Sequence, residues 1–71
     1  MKLYFSFGQN HIHNIEGVIF DKDLIVEVSG KDCEEIRNKM FDTFGNKWSM
    51  QYTKDTLDRS FFPRGVKRLN I

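Results

Sequence analysis

Little in this chain of 71 residues supports a covalently stapled or membrane-embedded architecture. It has a single cysteine, Cys33, so no intrachain disulfide can form, and a reducing intracellular setting is the expectation. Its longest apolar stretches, such as Val18–Phe20 and Leu24–Val26, are far short of the roughly 20 residues that a membrane-spanning helix needs. Met1-Lys2 leads into alternating residues and not into the long apolar region of a signal peptide. An excess of one charge is also missing. Eleven Lys+Arg against ten Asp+Glu leave a net charge of +1, too little to steer a polyanion from a distance, so nucleic acid is not the expected partner. No internal repeat, low-complexity stretch or linker interrupts the chain, which is read as one small domain spanning residues 1–71.

What the chain does have is rings. Apolar residues make up only 39% of it, but seven Phe, two Tyr and Trp48 supply much buried area per residue. A domain of this size hides only about 60% of the surface its unfolded form exposes, so self-association is expected to add stability.

Local patterns predict the elements. Lys2–Phe7 alternates, with Leu3, Phe5 and Phe7 on one face and Lys2, Tyr4 and Ser6 on the other, as in a strand with one buried side. Gly8–Asn14 is polar and turn-rich and reads as a loop holding both histidines. Leu24–Val28 is a second strand; Val18–Phe20 either pairs with it as a hairpin or belongs to a wide loop. After Ser29-Gly30, the acids Asp32, Glu34 and Glu35 sit where a helix N-terminus favours negative charge, and Gly45-Asn46 gives the stop. Between them Cys33, Ile36, Met40, Phe41 and Phe44 recur at helical spacing. Lys47–Thr53 alternates again, with Trp48, Met50 and Tyr52 on one side. In the tail, Lys54–Arg59 suits one helical turn, Phe61–Gly65 an anchor and a turn, and Val66–Ile71 a short last strand.

Together these predict an α+β fold: a small antiparallel sheet of three to five strands with one helix packed on one face. The expected core is Phe5, Phe7, Val26, Val28, Ile36, Met40, Phe44, Trp48 and Met50. One helix would leave the second sheet face and the strand edges bare, and a homodimer is expected to cover them. Charge is polarised along the chain. Asp21 to Glu35 holds six acidic and two basic residues, whereas Lys54 onward holds five basic and two acidic.

Few residues suggest chemistry. His11 and His13 form a His-x-His pair, but two ligands do not make a metal site, and loop histidines bonded to backbone or to a ligand are the simpler reading. Cys33 lies near a helix start, yet it also fits the apolar stripe and reads as a small buried hydrophobe more than as a nucleophile. No nucleophile triad, phosphate-cradling glycine loop, zinc ribbon or paired-carboxylate arrangement is present, so neither an enzyme activity, a catalytic residue, a cofactor nor a metal is expected. The Lys47–Tyr52 strand sets aromatic rings beside basic and amide groups, as a nucleobase and its phosphate require. Trp48 can stack on a ligand or pack in the core, while Tyr52 and Tyr4 carry polar tips suited to the surface. Arg59, Arg64, Lys67 and Arg68 either face phosphates or protect a solvated edge strand by charge.

Tyr4–Gln9 with His11 and His13, Val26-Glu27-Val28, Glu35–Phe41, Phe44–Tyr52 and Phe61–Gly65 together resemble a family of very small proteins of tailed bacteriophages and prophages. The most specific pieces are Phe-Gly-x-x-His and Gly-x-Lys-Trp-x-x-Gln-Tyr. The resemblance implies a phage origin, a setting in the host bacterial cytoplasm and an accessory, anti-defence role. Three readings follow. The first is sequestration of a nucleotide-derived immune signal, for which Gly8, Gln9, His11, His13, Arg37, Lys47, Trp48 and Tyr52 are the candidate ligand-binding residues. The second is direct inhibition of a host defence protein or nuclease, to which the acidic run would present phosphate-like charge. The third is a DNA-processing accessory that uses the basic tail.

Overall fold

Backbone pairing and caps follow from the local chemistry. The computed structural model describes residues 1–71. Its elements are β1 (Lys2–Phe5), β2 (His13–Ile15), β3 (Val18–Phe20), β4 (Leu24–Ser29), α1 (Cys33–Phe44), β5 (Gln51–Tyr52), a 3-10 turn at Arg59–Phe61, and β6 (Gly65–Leu69). Asp32 caps α1 by accepting the Glu35 amide at 2.9 Å, and Glu34 and Glu35 lie in the first turn, beside the positive end of the helix dipole. Gly45, with φ +65°, ends the helix by donating its N–H to the Phe41 carbonyl at 2.9 Å.

The fold is α+β, with one helix packed against a four-stranded sheet of order β5-β1-β4-β6 and a separate two-stranded ribbon of β2 and β3. The sheet is mixed and not antiparallel throughout: β1 runs antiparallel to β4 and β5, but β6 runs parallel to β4. The reason is topological. β5 and β6 occupy opposite edges, so the chain between them cannot be a hairpin and must cross the sheet. Two crossovers therefore join parallel strands. The β4-to-β5 connection carries α1 past β1, and the β5-to-β6 connection, Thr53–Arg64, returns in the opposite direction. Right-handed crossovers running in opposite directions lie on opposite faces of a sheet.

Burial agrees with this. On the helix side, Leu3, Phe5, Phe7, Leu24, Val26 and Val28 pack with Ile36, Met40 and Phe44, and Phe20 enters from the ribbon. Phe7, Phe20 and Phe44 form a ring triad with centroids 5.0 to 5.8 Å apart. On the other side, Tyr4, Ser6, Ile25 and Glu27 are also buried, and the Tyr52 ring meets Phe62 of the crossover at 6.2 Å. Tyr4, expected at the surface, is thus only 6% exposed. The bare second face on which the expected dimer rested is covered by the chain's own tail.

Two local patterns resolve differently from expectation. Val18–Phe20 pairs with His13–Ile15 and not with β4. The ribbon turns at Glu16-Gly17, both left-handed (φ +53° and +80°), as a two-residue hairpin turn matched to strand twist requires. The predicted Gly8–Asn14 loop therefore stops at Ile12. In Lys47–Thr53, regular pairing is confined to Gln51–Tyr52 because two residues oppose one just before it. Ser6 donates its N–H to the Met50 carbonyl at 3.0 Å and accepts the Ser49 N–H at 2.8 Å. This bulge breaks the alternation. Tyr52 shares the second face with Tyr4, Trp48 packs edge-on to Phe5 on the helix side (5.0 Å), and Met50, expected in the core, is 53% exposed. Cys33, expected to be buried, is exposed at the first turn of α1, its thiol 3.5 Å from the Met1 sulfur. No helix is long and apolar enough to cross a membrane.

Candidate functional site

The eight residues singled out from the sequence fall into three places. The first is the end of the sheet where β1 passes into the Gly8–Ile12 loop. Gly8 has φ +68°, a left-handed conformation that glycine adopts without strain, and a Cβ there would come 3.1 Å from the Ser49 Cβ, so a larger residue would be strained and would push the Lys47–Ser49 segment away by a few tenths of an ångström. His13 lies across the same junction. Its ring packs on Phe44 (4.9 Å) and Phe7 (5.6 Å), and its Nε2 lies 2.8 Å from the Lys47 carbonyl. A carbonyl only accepts, so Nε2 carries the proton. His13 is thereby committed to holding the ribbon against the end of α1. Gln9 is exposed and His11 half-buried, and neither side chain has a hydrogen-bond partner. Lys47 is exposed, with only its backbone engaged here.

The second place is the flank between α1 and the β5 edge. Trp48, half-buried, stands against Phe5 and also meets Phe41 at 5.6 Å. Its indole Nε1 is buried without an acceptor. Phe41 is 44% exposed, and Arg37, one turn earlier, lies beside it in an open depression that also includes Cys33, Glu34 and Asn38. Arg37 forms neither an ion pair nor a side-chain hydrogen bond, so its guanidinium faces solvent.

The third place is the second sheet face. Tyr52 is half-buried between Tyr4, its cross-strand neighbour, and Phe62. It is separated by the sheet from Trp48, so the two rings cannot clasp one ligand. Glu27 is buried on this same face. Its Oε1 lies 3.5 Å from the Lys2 ammonium and 3.4 Å from the Arg68 guanidinium, distances that give charge compensation without a short hydrogen bond.

The acidic run does not form one surface. Asp21 pairs with Arg64 at 3.1 Å, Asp23 with Lys22 at 3.1 Å, Glu27 is covered and Glu35 is half-buried beside Lys39, which leaves Asp32 and Glu34 at the start of α1 as the exposed acids of the run. These acids, with Lys31, Lys39 and Asn38, line the other surface depression, which has no apolar wall. No three His, Cys, Asp or Glu side chains come together as a metal ligand set. Phe41 is the exposed residue of this flank that the candidate set left out, because its helical spacing grouped it with the apolar stripe. It stands about 100° around the helix from Met40, at the border of the buried stripe, and that angle was the available signal. Comparison of the chain with family models, curated proteins and solved structures gives no match.

Proposed function

We propose that this protein is a phage-encoded accessory factor that acts in the host bacterial cytoplasm by binding and blocking a defence protein. The observation that carries this reading is the flank of Phe41, Trp48 and Arg37. An exposed ring backed by a half-buried indole, beside a guanidinium with no partner in the chain, is the composition of a protein-interface anchor. Nucleotide capture asks for stacking rings and phosphate donors that converge in a concave site. Here the candidate residues are divided among three places and the two surface depressions are open, which favours a protein partner over a small ligand.

Native mass spectrometry of the protein purified from a bacterial host tests this. The expected result is a stoichiometric complex with one host protein that is lost in Phe41→Asp and weakened in Arg37→Ala, both variants keeping the parent fold. A small molecule of nucleotide mass retained at stoichiometric level, with no protein partner, would put signal sequestration in its place.

A further inference from the structure

The two edges of the sheet differ. β5 is two residues long and is preceded by a bulge, features that blunt an edge against pairing. β6 is five residues long and has neither proline nor an internal glycine. It pairs with β4 alone, and no residue from Val66 onward gives a backbone hydrogen bond outside that pairing. Alternate N–H and C=O groups of β6 therefore point outward along an open edge.

Register decides what stands beside that edge. Leu69 packs with the helix-side core and Arg68 pairs with Glu27 on the other face, so the strand alternates Val66 and Arg68 on one face with Lys67 and Leu69 on the other. Each face of the edge thus presents one cation and one half-buried apolar side chain. A second copy is a poor occupant. Two-fold antiparallel pairing centred on Lys67 or on Arg68 keeps each face with itself and sets that cation against its own copy, and like charges directly opposite each other are unfavourable. An incoming strand with the order apolar, acidic, acidic, apolar matches all four positions, because its consecutive acids point to opposite faces and meet one cation each.

We infer that β6 is a docking edge for an extended acidic segment of a partner protein, which adds to the sheet as a fifth strand. This surface lies on the opposite edge from the Phe41–Trp48 flank, so the inference stands apart from the reading proposed above.

The experiment is an NMR titration of the 15N-labelled full chain with three synthetic peptides that differ only at their centre: Val-Glu-Glu-Val, Val-Gln-Gln-Val and Val-Lys-Lys-Val. The Glu-Glu peptide is expected to shift and protect the amides of Val66–Leu69, to bind roughly tenfold or more tightly than the Gln-Gln peptide, and to weaken as salt is raised. The Lys-Lys peptide is expected to leave these amides unmoved. Lys67→Glu, at a side chain without an ion-pair partner, should remove the preference for the Glu-Glu peptide while the remaining amide spectrum stays as in the parent. Equal shifts from all three peptides, no shift at β6, or a stronger response of the same amides to a single-stranded oligonucleotide would each overturn the inference and leave the two cations as protection of the edge or as phosphate contacts.

Discussion

At the scale of single residues, position on the helix separates side chains that hold the fold from those free to act outside it. Phe44 and Met40 are buried against the sheet, and Phe44 touches Phe7, Phe20 and His13. Truncating either leaves a cavity in a core of ten buried residues. Phe44→Ala is expected to cost about 3 to 5 kcal/mol and Met40→Ala about 2 to 5 kcal/mol in chemical denaturation, enough to threaten folding of so small a domain. Phe41→Ala removes an exposed ring contact with Trp48 and should cost only about 1 kcal/mol. Similar melts for Phe41→Ala and Phe44→Ala would show the helix to be rotated from the register described. Asp58 gives a different kind of test. The Ser60 hydroxyl, donating at 2.6 Å, and the Ser60 amide, donating at 3.0 Å, hold the Asp58 carboxyl below the usual carboxylate range. A carboxyl whose pKa is lowered on folding contributes stability above its unfolded pKa, and loses it as pH falls through the folded one. The 3-10 turn at Arg59–Phe61 should therefore loosen only at a pH below the ordinary aspartate range. A Ser60 amide titration by NMR checks this, and Asp58→Asn should abolish the step.

At the scale of elements, the ribbon turn holds the chain's one non-glycine residue with positive φ. Glu16 holds φ +53°, a conformation that L-residues other than Asn and Asp adopt at a cost. Glu16→Asn creates the Asn-Gly pair favoured in such turns and should raise stability by about 0.5 to 1 kcal/mol. An unchanged melting temperature would mean that the turn is not formed as described. The ribbon is fastened to the rest of the molecule by Phe20, Arg64 and His13, with Arg64 donating to the Ile19 carbonyl at 2.6 Å. His13→Phe keeps the ring on Phe44 but deprives the Lys47 carbonyl of its donor. A loss of about 1 kcal/mol is expected, with faster exchange of the β2 and β3 amides while those of β1 and β4 keep their protection.

At the scale of the whole molecule, the tail plays the part that a second subunit was expected to play. α1 covers one face and Thr53–Arg64 covers the other, so burial of the sheet needs no second copy. One edge is blunted by a bulge, and the other opposes its own copy with like charge. At micromolar concentration and without a partner, the chain is expected to sediment as a single species of 8.4 kDa. A stable dimer would overturn this and point to self-association through the flank of Phe41 and Trp48 or through the β6 edge.

Periodicity alone was enough for β1, β4 and α1, with the caps at Asp32 and Gly45, because these elements rest on repeats and local hydrogen bonds within a few residues. Seven of the nine expected core residues are buried for the same reason: Phe5, Phe7, Val26, Val28, Ile36, Met40 and Phe44 lie on regular faces. The fate of Met50, the side taken by Trp48, the burial of Tyr4 and the dispersal of the candidate site depended on contacts between distant segments. A one-residue bulge opposite Ser6 turns Trp48 toward Phe5 and leaves Met50 outside, and no alternation in Lys47–Thr53 reveals it. Likewise, nothing in Lys54–Arg64 read alone says that it crosses the second face. That follows from where β5 and β6 pair, and strand order is a property of the assembled sheet, set by long-range pairing and the handedness of its connections.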